Sequence, residues 1–235
     1  MSRISIIVPT LNEAPVIRAA LKPLQRMREN DHEIILVDGG STDDTVALST
    51  PLVDCMLHAP TGRARQMNAG AREARGDILL FLHADTCLPP DAPRLIMAGL
   101  ADSGRQWGRF DVRLSGSRAL LRLVERLMNI RSRLTHIATG DQAMFVRRGA
   151  FFAAGGFPEI PLMEDIALSR RLKQAGPPLC LRQTVVTSSR RWEEQGILRT
   201  ILLMWHLRLA YFLGASPTRL ARHYGYRSPW APGND

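Results

Sequence analysis

Three acidic residues follow short apolar runs of the sequence, at Glu13, Asp38 and Asp85. A carboxylate can accept a hydrogen bond from a nucleobase or a ribose hydroxyl, and it can hold Mg²⁺ or Mn²⁺ together with phosphate oxygens. Arg63 opens a predicted helix, where backbone N–H groups already favour an anion and a guanidinium can bind two phosphate oxygens. These residue types fit a site for a phosphorylated ligand. The alternatives are that Asp38 only caps the turn at Gly39 and that Arg63 is a solvated residue of the first helical turn.

The apolar runs are short enough to be buried strands, and segments with helical spacing separate them. They cover residues 4–9, 33–37, 54–58 and 78–82. Strands that alternate with helices form a parallel sheet, and continuous apolar strands are covered on both faces. Ligands bind outside the carboxyl ends of such strands. We therefore expect the three carboxylates, and the start of the helix at Arg63, in one crevice.

Two of the intervening helices carry recognisable cap residues. Ser41 is the predicted N-cap of a short helix that starts near Thr42. Gly76 is the predicted C-cap of a helix over residues 63–75.

The second half of the chain is less regular. Strands are predicted over residues 107–114 and 142–146, and a helix over residues 165–173. Residues 118–134 have the periodicity of an amphipathic helix, with the arginines on one face and the leucines on the other. A solvated helix face explains that pattern, but four arginines on one face also suit an anionic membrane surface. They are Arg118, Arg122, Arg126 and Arg133.

The composition excludes several classes of protein. Of 235 residues, 45% are hydrophobic and 23% charged, which excludes a disordered, collagen-like or coiled-coil chain. Three cysteines without a CxxC pair argue against a zinc ribbon. The net charge of +9 favours anionic partners. Nucleic acid is not expected among them, because aromatic residues make up only 6% and no RNA-binding aromatic motif is visible.

Targeting signals are not expected in this sequence. The N-terminus carries no long apolar segment of the kind found in signal peptides. Residues 197–213 are apolar but short for a membrane span, and Arg199, His206 and Arg208 interrupt them. They predict either a buried helix or a helix on a membrane surface. We therefore expect a cytoplasmic protein without a transmembrane helix, with the inner face of the membrane as a candidate location.

Six motifs in order resemble those of family-two glycosyltransferases of the GT-A fold, and the resemblance covers roughly residues 3–195. The motifs lie at residues 7–13, 36–43, 62–70, 83–85, 155–157 and 164–165. The resemblance implies a mostly parallel, Rossmann-like α/β sheet flanked by helices. It also implies a nucleotide-diphosphate sugar as the donor, with UDP favoured, and a divalent metal, Mn²⁺ or Mg²⁺, as the cofactor.

The resemblance assigns the donor site to the first half of the chain. The implied nucleotide-sugar-binding residues are Pro9, Leu11, Glu13, Asp38, Arg63, His83 and Asp85. Asp85 is also the implied metal ligand. His83 stands where the family usually has the first acid of an Asp-x-Asp motif, so it is either a ribose or metal contact or a structural histidine.

The resemblance assigns the catalytic base to the second of two adjacent acids, Asp165, with Glu164 in support. The alternative is that both acids merely favour a helix N-terminus. Gly140 and Asp141 are candidates for the acceptor pocket or for a plain turn. Arg191 and Trp192 resemble the end of the Gln-x-x-Arg-Trp motif of processive members, but Ser188 replaces its glutamine. Those two are therefore candidates for diphosphate and acceptor contacts in an enzyme that is not processive.

The sequence thus predicts an inverting, metal-dependent glycosyltransferase that acts on a hydroxyl or carboxyl of a small or lipid-like acceptor. One domain over residues 1–235 is expected. Its parts are a nucleotide-sugar-binding half (1–100), an acceptor and catalytic half (101–195) and a helical tail (196–235). The alternatives are a nucleotidyltransferase of similar fold and a basic module that binds membrane surfaces.

Overall fold

The computed structural model describes residues 2–226, so Met1 and residues 227–235 of the predicted tail lie outside the described part. The strands are β1 (Ile4–Thr10), β2 (Glu33–Asp38), β3 (Cys55–His58), β4 (Ile78–Phe81), β5 (Thr86–Cys87), β6 (Trp107–Leu114), β7 (Phe145–Arg147) and β8 (Leu179–Thr187). The helices are α1 (Ile17–Leu21), α2 (Gln25–Arg28), α3 (Thr45–Ser49), α4 (Arg63–Glu73), α5 (Ala92–Ser103), α6 (Ala119–Thr135), α7 (Arg148–Ala153), α8 (Glu164–Leu172), α9 (Arg190–Gln195), α10 (Ile197–Phe212) and α11 (Pro217–His223). Short 3-10 turns lie at Lys22–Leu24, Thr50–Leu52, Gly140–Gln142 and Lys173–Ala175.

The strands of residues 2–226 form one sheet in the order β3-β2-β1-β4-β7-β6-β8-β5. The first four in that order are mutually parallel, with Val8 opposite Leu36 and Thr10 opposite Asp38. Strand β7 is antiparallel to both β4 and β6, whereas β8 is parallel to β6. The predicted α/β sheet flanked by helices is confirmed, and its parallel character resides mainly in the first half.

Both faces of the sheet are covered, which explains why its strands read as unbroken apolar runs. In β1, Ile4 and Ile6 pack on one side into a hydrophobic cluster with residues of α1, α5 and α6. Ile7 packs on the other side with residues of α4, α7 and α8. This sandwich fixes the strand ends from which the site is built.

Neither residue predicted as a helix cap has that role in the structure. Helix α3 begins at Thr45, and the Ser41 hydroxyl instead accepts the Asn12 N–H at 2.9 Å. Helix α4 ends at Glu73, before Gly76. A side chain at Gly76 would place its Cβ 2.6 Å from Ser5 Oγ, so glycine is needed there because β1 passes so close.

Helix α6 buries Leu121, Val124 and Met128 in the core, but it also buries part of the polar flank that is predicted to face solvent. Strand β6 pairs with β7 only at Trp107 and Gly108, which leaves the rest of that edge without a strand partner. Polar side chains of α6 cover this edge, because its backbone groups need hydrogen-bond partners. The Asn129 amide bonds both the N–H and the carbonyl of Val112, at 2.9 and 3.0 Å. Arg122 donates to the Leu114 carbonyl at 2.6 Å.

Half of the predicted arginine stripe of α6 is therefore structural, whereas Arg118 and Arg126 are exposed. Besides Arg122, Arg133 pairs with Asp111 of β6 at 2.5 Å, and the Glu125 carboxylate accepts the N–H of Leu114. The side of α6 that meets solvent instead carries an apolar stripe. Its members are Leu123, Leu127, Ile130 and Leu134.

Helix α10 corresponds to the apolar segment near the end of the chain. It is half-buried, since Ile197, Thr200 and Leu207 face the protein. Within residues 2–226, no helix combines the length and the apolar character that a membrane crossing requires.

Candidate active site

A cavity of about 650 Å³ opens at the carboxyl ends of β1 and β4, beside the first turn of α4. Small-molecule sites commonly occupy ~300–1,000 Å³. The predicted residues that line it are Pro9, Leu11, Glu13, Arg63, His83 and Asp85. The strand-end rule thus brings together two of the three predicted carboxylates and the arginine.

Asp38, the third carboxylate, lies next to the cavity rather than in its lining. It is buried, and its Oδ2 accepts the N–H groups of Gly40 (2.9 Å) and Ser41 (3.0 Å). Burial acts to raise the pKa of Asp38, but hydrogen bonds from Ser41 and Gly40 outweigh it and hold the pKa below its ordinary value. The cap alternative is thus visible in the geometry. The other oxygen, Oδ1, is buried and has no hydrogen-bond partner among the described residues, so its capacity to accept a hydrogen bond is unused.

Glu13 and Asp85 form an acidic pair on the cavity wall. Glu13 is fixed by its own N–H, which donates to Thr45 Oγ1 at 2.8 Å. Burial raises the pKa of the Glu13 carboxyl, and the nearby charge of Asp85 adds to that effect. Two carboxylates that repel each other favour the arrival of a cation or a hydrogen-bond donor.

Arg63 provides the positive charge of the cavity. It is the first residue of α4, after Gly62, whose φ of 138° is accessible mainly to glycine. The side chain keeps its solvent exposure although the cavity walls surround it. The pKa of Arg63 is raised, first by the Tyr226 hydroxyl and then by Glu164, so the guanidinium is charged at any physiological pH.

His83 connects the cavity to the second half of the chain. Burial, with a further contribution from Arg63, lowers the pKa of His83 to about 3, so its imidazole is neutral. The ring packs against Gly140, where an added Cβ would lie 2.5 Å from His83 Nε2. A side chain at position 140 would therefore displace the imidazole. A neutral imidazole is the form that hydrogen-bonds a hydroxyl or ligates a metal.

The two adjacent acids lie on the far side of Gly140. The Gly140 N–H donates to Asp165 Oδ2 at 2.8 Å, and the Ile166 N–H donates to Oδ1 at 2.7 Å. Burial raises the pKa of Asp165, although these two N–H groups act against it. Burial also raises the pKa of Glu164 to about 7, and the charge of Asp165 contributes to the same rise. The pair can therefore accept and release a proton near neutral pH.

The predicted acceptor-side residues divide between the site and the core. Asp141 follows Gly140 in the same 3-10 turn and accepts a hydrogen bond from the Thr139 hydroxyl. The Arg191 guanidinium lies 3.6 Å from the Tyr224 ring centroid and donates to the Tyr224 carbonyl at 2.8 Å. Trp192 instead packs against the main hydrophobic cluster and, like Asp141 and Arg191, does not line the cavity.

The family model described as "Glycosyl transferase family 2" matches residues 5–152, which is more than half of the chain. The chain belongs to glycosyltransferase family 2. Membership of this family accounts for the six motifs, so neither the nucleotidyltransferase nor the pure binding module is needed to explain them.

Two named relatives match parts of the chain. A PGL/p-HBAD biosynthesis glycosyltransferase of Mycobacterium bovis is 42% identical over 91 residues, which cover 36% of this chain and 36% of that protein. An undecaprenyl-phosphate 4-deoxy-4-formamido-L-arabinose transferase of Pseudomonas fluorescens is 30% identical over 162 residues, which cover 61% of this chain and 46% of that protein. The matches thus span less than half the length of either relative.

Solved structures share the fold. The mannosyltransferase PcManGT of Pyrobaculum calidifontis, in complex with GDP-Man and Mn²⁺, has a TM-score of 0.66 at 22% identity, covering 96% of this chain and 69% of that one. S. aureus TarS 1-349 in complex with UDP has a TM-score of 0.64 at 17% identity, covering 79% of this chain and 60% of that one. The family-two chain described here therefore has the GT-A fold.

Several residues that line the cavity were not predicted from the sequence. Gln66 donates to the carbonyls of Thr10 (2.8 Å) and Val37 (2.9 Å), so it ties the ends of β1 and β2 together beneath the site. The 62–70 motif contains Gln66 and could have indicated it. Ala221 and Tyr226 also line the cavity, but they come from the tail, where no sequence signal marks them.

Proposed function

We propose that this chain is an inverting, metal-dependent glycosyltransferase that moves a sugar from a nucleotide-diphosphate donor to a hydroxyl or carboxyl of a lipid-like acceptor. The observation that carries the proposal is one continuous path. It runs from Arg63 and Asp85 in the cavity through His83 and Gly140 to the Asp165 carboxylate.

The cavity is the proposed donor site. Arg63, at the N-terminus of α4, binds the diphosphate, because the helix end and the guanidinium both favour an anion. Glu13 and the free Oδ1 of Asp38 accept donors from the base and ribose, beside Pro9 and Leu11. We propose UDP as the nucleotide, while one solved neighbour carries GDP-Man and another carries UDP.

The side chains at one end of the cavity suit a divalent metal ion. No group of three or more metal-ligating side chains occurs within residues 2–226, so the protein alone offers no complete cage. Mg²⁺ and Mn²⁺ are typically held by one or two carboxylates and the substrate phosphates. Asp85 fits that role, with the neutral His83 beside it. A bound metal would neutralise charge on the departing nucleoside diphosphate.

Asp165 is the proposed general base. Hydrogen bonds from Gly140 and Ile166 fix its carboxylate, and its remaining lone pairs can accept the acceptor's proton. Attack from the side of Asp165, opposite the leaving diphosphate, inverts the anomeric centre. Glu164 supports the base by sharing its buried environment and lying close to Arg63.

The acceptor enters from the second half in this proposal. Gly140, Asp141 and Arg191 lie on that side, and the division into a donor half (1–100), an acceptor half (101–195) and a tail (196–235) follows from it. The printed names of the two relatives refer to p-HBAD and PGL biosynthesis and to undecaprenyl phosphate, which supports a lipid-like acceptor. We place the enzyme on the cytoplasmic side of a membrane for that reason.

Calorimetry with UDP and Mn²⁺ tests the donor and metal assignments together. Wild type should bind UDP more tightly with Mn²⁺ than without it, and Asp85→Ala should lose this dependence while it keeps its fold. Asp91→Ala is the matched control, because Asp91 is an exposed acid that pairs with Arg94 outside the cavity. Unchanged Mn²⁺ dependence in Asp85→Ala would refute the metal assignment.

A mass-spectrometric screen of donor hydrolysis identifies the donor. UDP-, GDP- and dTDP-sugars are offered in turn with Mn²⁺, and release of the free sugar is measured. We expect hydrolysis of a UDP-sugar. Hydrolysis of only GDP- or dTDP-sugars would overturn the nucleotide preference, and no hydrolysis or binding of any donor would overturn the proposal itself.

A further inference from the structure

Two neighbouring helices, α6 and α10, present apolar side chains to solvent. One stripe is that of α6, and α10 carries a second stripe whose members follow one another at intervals of about one helical turn. Its members and their exposed fractions are Leu198 (66%), Leu202 (67%), Trp205 (64%) and Leu209 (60%). Both helices contribute to the same hydrophobic cluster, through Val124 and Ile197, and they contact each other, so the two stripes lie on neighbouring helices. We call the two stripes together the apolar face.

Most of the charges that border the apolar face are positive, and the exposed acids nearest to it in sequence are Glu193 and Glu194 of α9, just before α10. Arg126 flanks the α6 stripe, while Arg199 and Arg208 flank the α10 stripe on its two sides. Residues 197–226 contain no acidic residue, and the single acid of α6, Glu125, is buried against β6. An apolar stripe bordered by arginines, with a tryptophan in its middle, is the pattern of a helix that lies in a bilayer interface.

The seam between the two stripes leads towards the proposed base. Arg131 lies on the same flank of α6 as Val124, and Arg208 on the same flank of α10 as Ile201, which both pack into the shared cluster. The Nε and Nη2 atoms of Arg131 are buried without a hydrogen-bond partner among the described residues. Because these atoms are buried, Arg131 faces the interior, where its charge and that of Arg208 lie near Asp165. Leu207 of α10 packs beside Met163 and Ile166, which border the catalytic acids.

We propose that the apolar face docks on an anionic phospholipid bilayer, with the exposed Arg126 and Arg199 at the headgroups, so that a membrane-held acceptor reaches Asp165 past α10, whose Leu207 packs beside Ile166. The inference rests on the proposed function for its acceptor, but not for the docking itself. A second copy of the chain is the less suitable occupant, because it would oppose one arginine-rich border to another.

Co-sedimentation with vesicles tests the docking surface. Wild type should sediment with phosphatidylglycerol-containing vesicles and much less with pure phosphatidylcholine. The triple variant Leu202→Gln, Trp205→Gln, Leu209→Gln should bind at least ~100-fold more weakly, since each buried apolar side chain is worth at least tenfold. Phe152→Gln is the matched control. Phe152 is exposed on the opposite side of the sheet from α6, so this variant should sediment as wild type does.

Trp205 reports its own insertion. Its fluorescence should be quenched by phosphatidylglycerol with brominated acyl chains, and Trp205→Phe should lose that quenched component. Binding by the triple variant equal to wild type, or a Trp205 signal that bromine does not quench, would overturn the proposal. So would sedimentation-velocity data showing a dimer that the triple variant abolishes.

A measurement of UDP affinity separates the two proposals. Since the apolar face does not line the cavity, the triple variant should bind UDP and Mn²⁺ as wild type does. Failure of wild type to bind UDP would overturn the proposed function and leave vesicle docking standing. Failure to bind vesicles with normal UDP affinity would overturn only the docking.

Discussion

The donor end and the acceptor end of this enzyme are built by different means. At the donor end, parallel strands bring Glu13 and Asp85 to one cavity because their carboxyl ends share an edge of the sheet. At the acceptor end, antiparallel pairing of β7 and a free edge of β6 decide where side chains point. The first arrangement follows from a general rule of the fold, and the second from particular hydrogen bonds. Substitutions at the two ends should therefore fail in different ways.

The largest effect is expected at the junction of the two ends. Asp165→Asn should lower sugar transfer by ~10²-fold or more, the usual contribution of a general base, and should leave UDP affinity near normal. The asparagine can still accept the Gly140 N–H through its amide oxygen, so the loop should keep its position. The measurement is turnover and UDP affinity with the donor found in the hydrolysis screen.

Glu159→Gln is the control for Asp165→Asn. Glu159 lies in the loop before the same helix, pairs with Arg65 at 3.3 Å and loses the same charge without reaching the site. It should transfer sugar as wild type does. A collapse of UDP affinity in Asp165→Asn would make Asp165 a binding residue, and the base would then be sought first at Glu164.

A smaller effect, on folding rather than catalysis, is expected on α6. Asn129→Ala removes both hydrogen bonds to Val112 and leaves buried backbone groups unpaired, so it should cost ~1–3 kcal/mol of unfolding free energy. Leu127→Gln, on the exposed apolar stripe, should change it by less than ~0.5 kcal/mol. Urea unfolding measures both. Equal losses, or a larger loss at Leu127, would contradict the orientation of α6.

Helix α6 shows which feature of the fold could not be predicted from the sequence. Its period correctly predicted a helix over residues 118–134, but the period could not say which face is buried. The usual assumption puts leucines inside. Here Leu121 is inside as assumed, but the polar flank meets an unpaired strand edge, which takes Asn129 and Arg122 as well. The pairing of β7 with β4 decides this, and it is not readable from residues 118–134.

The residues of the donor end were more predictable, because the rule that ligands bind at the carboxyl ends of parallel strands needs only the strand order. The positions of Arg63 and Asp85 followed from short apolar runs and a helix start. The position of Asp38 was predicted only in part, because the turn at Gly40 closes over its carboxylate and leaves it beside the cavity. Tyr226 was not predictable, because it reaches the cavity from a tail that is more than a hundred residues away in sequence.

The smallest expected effect concerns Glu164, between the two ends. Its folded pKa of about 7 exceeds the ordinary value of 4.5, so the folded protein binds this proton more tightly than the unfolded chain does. The stability that comes from the buried neutral carboxyl is therefore complete below about pH 4.5 and is lost as pH rises through 7.

Glu164→Gln keeps a neutral side chain at every pH. Its Tm should match wild type at pH 5 and exceed it at pH 8.5, with a difference that grows as pH rises through 7. Thermal melts of both proteins across that range measure the difference, with Glu159→Gln as the exposed control. A gain that does not grow with pH would mean that Glu164 is held charged by Arg63, and the proton-sharing role proposed for the acid pair would fall with it.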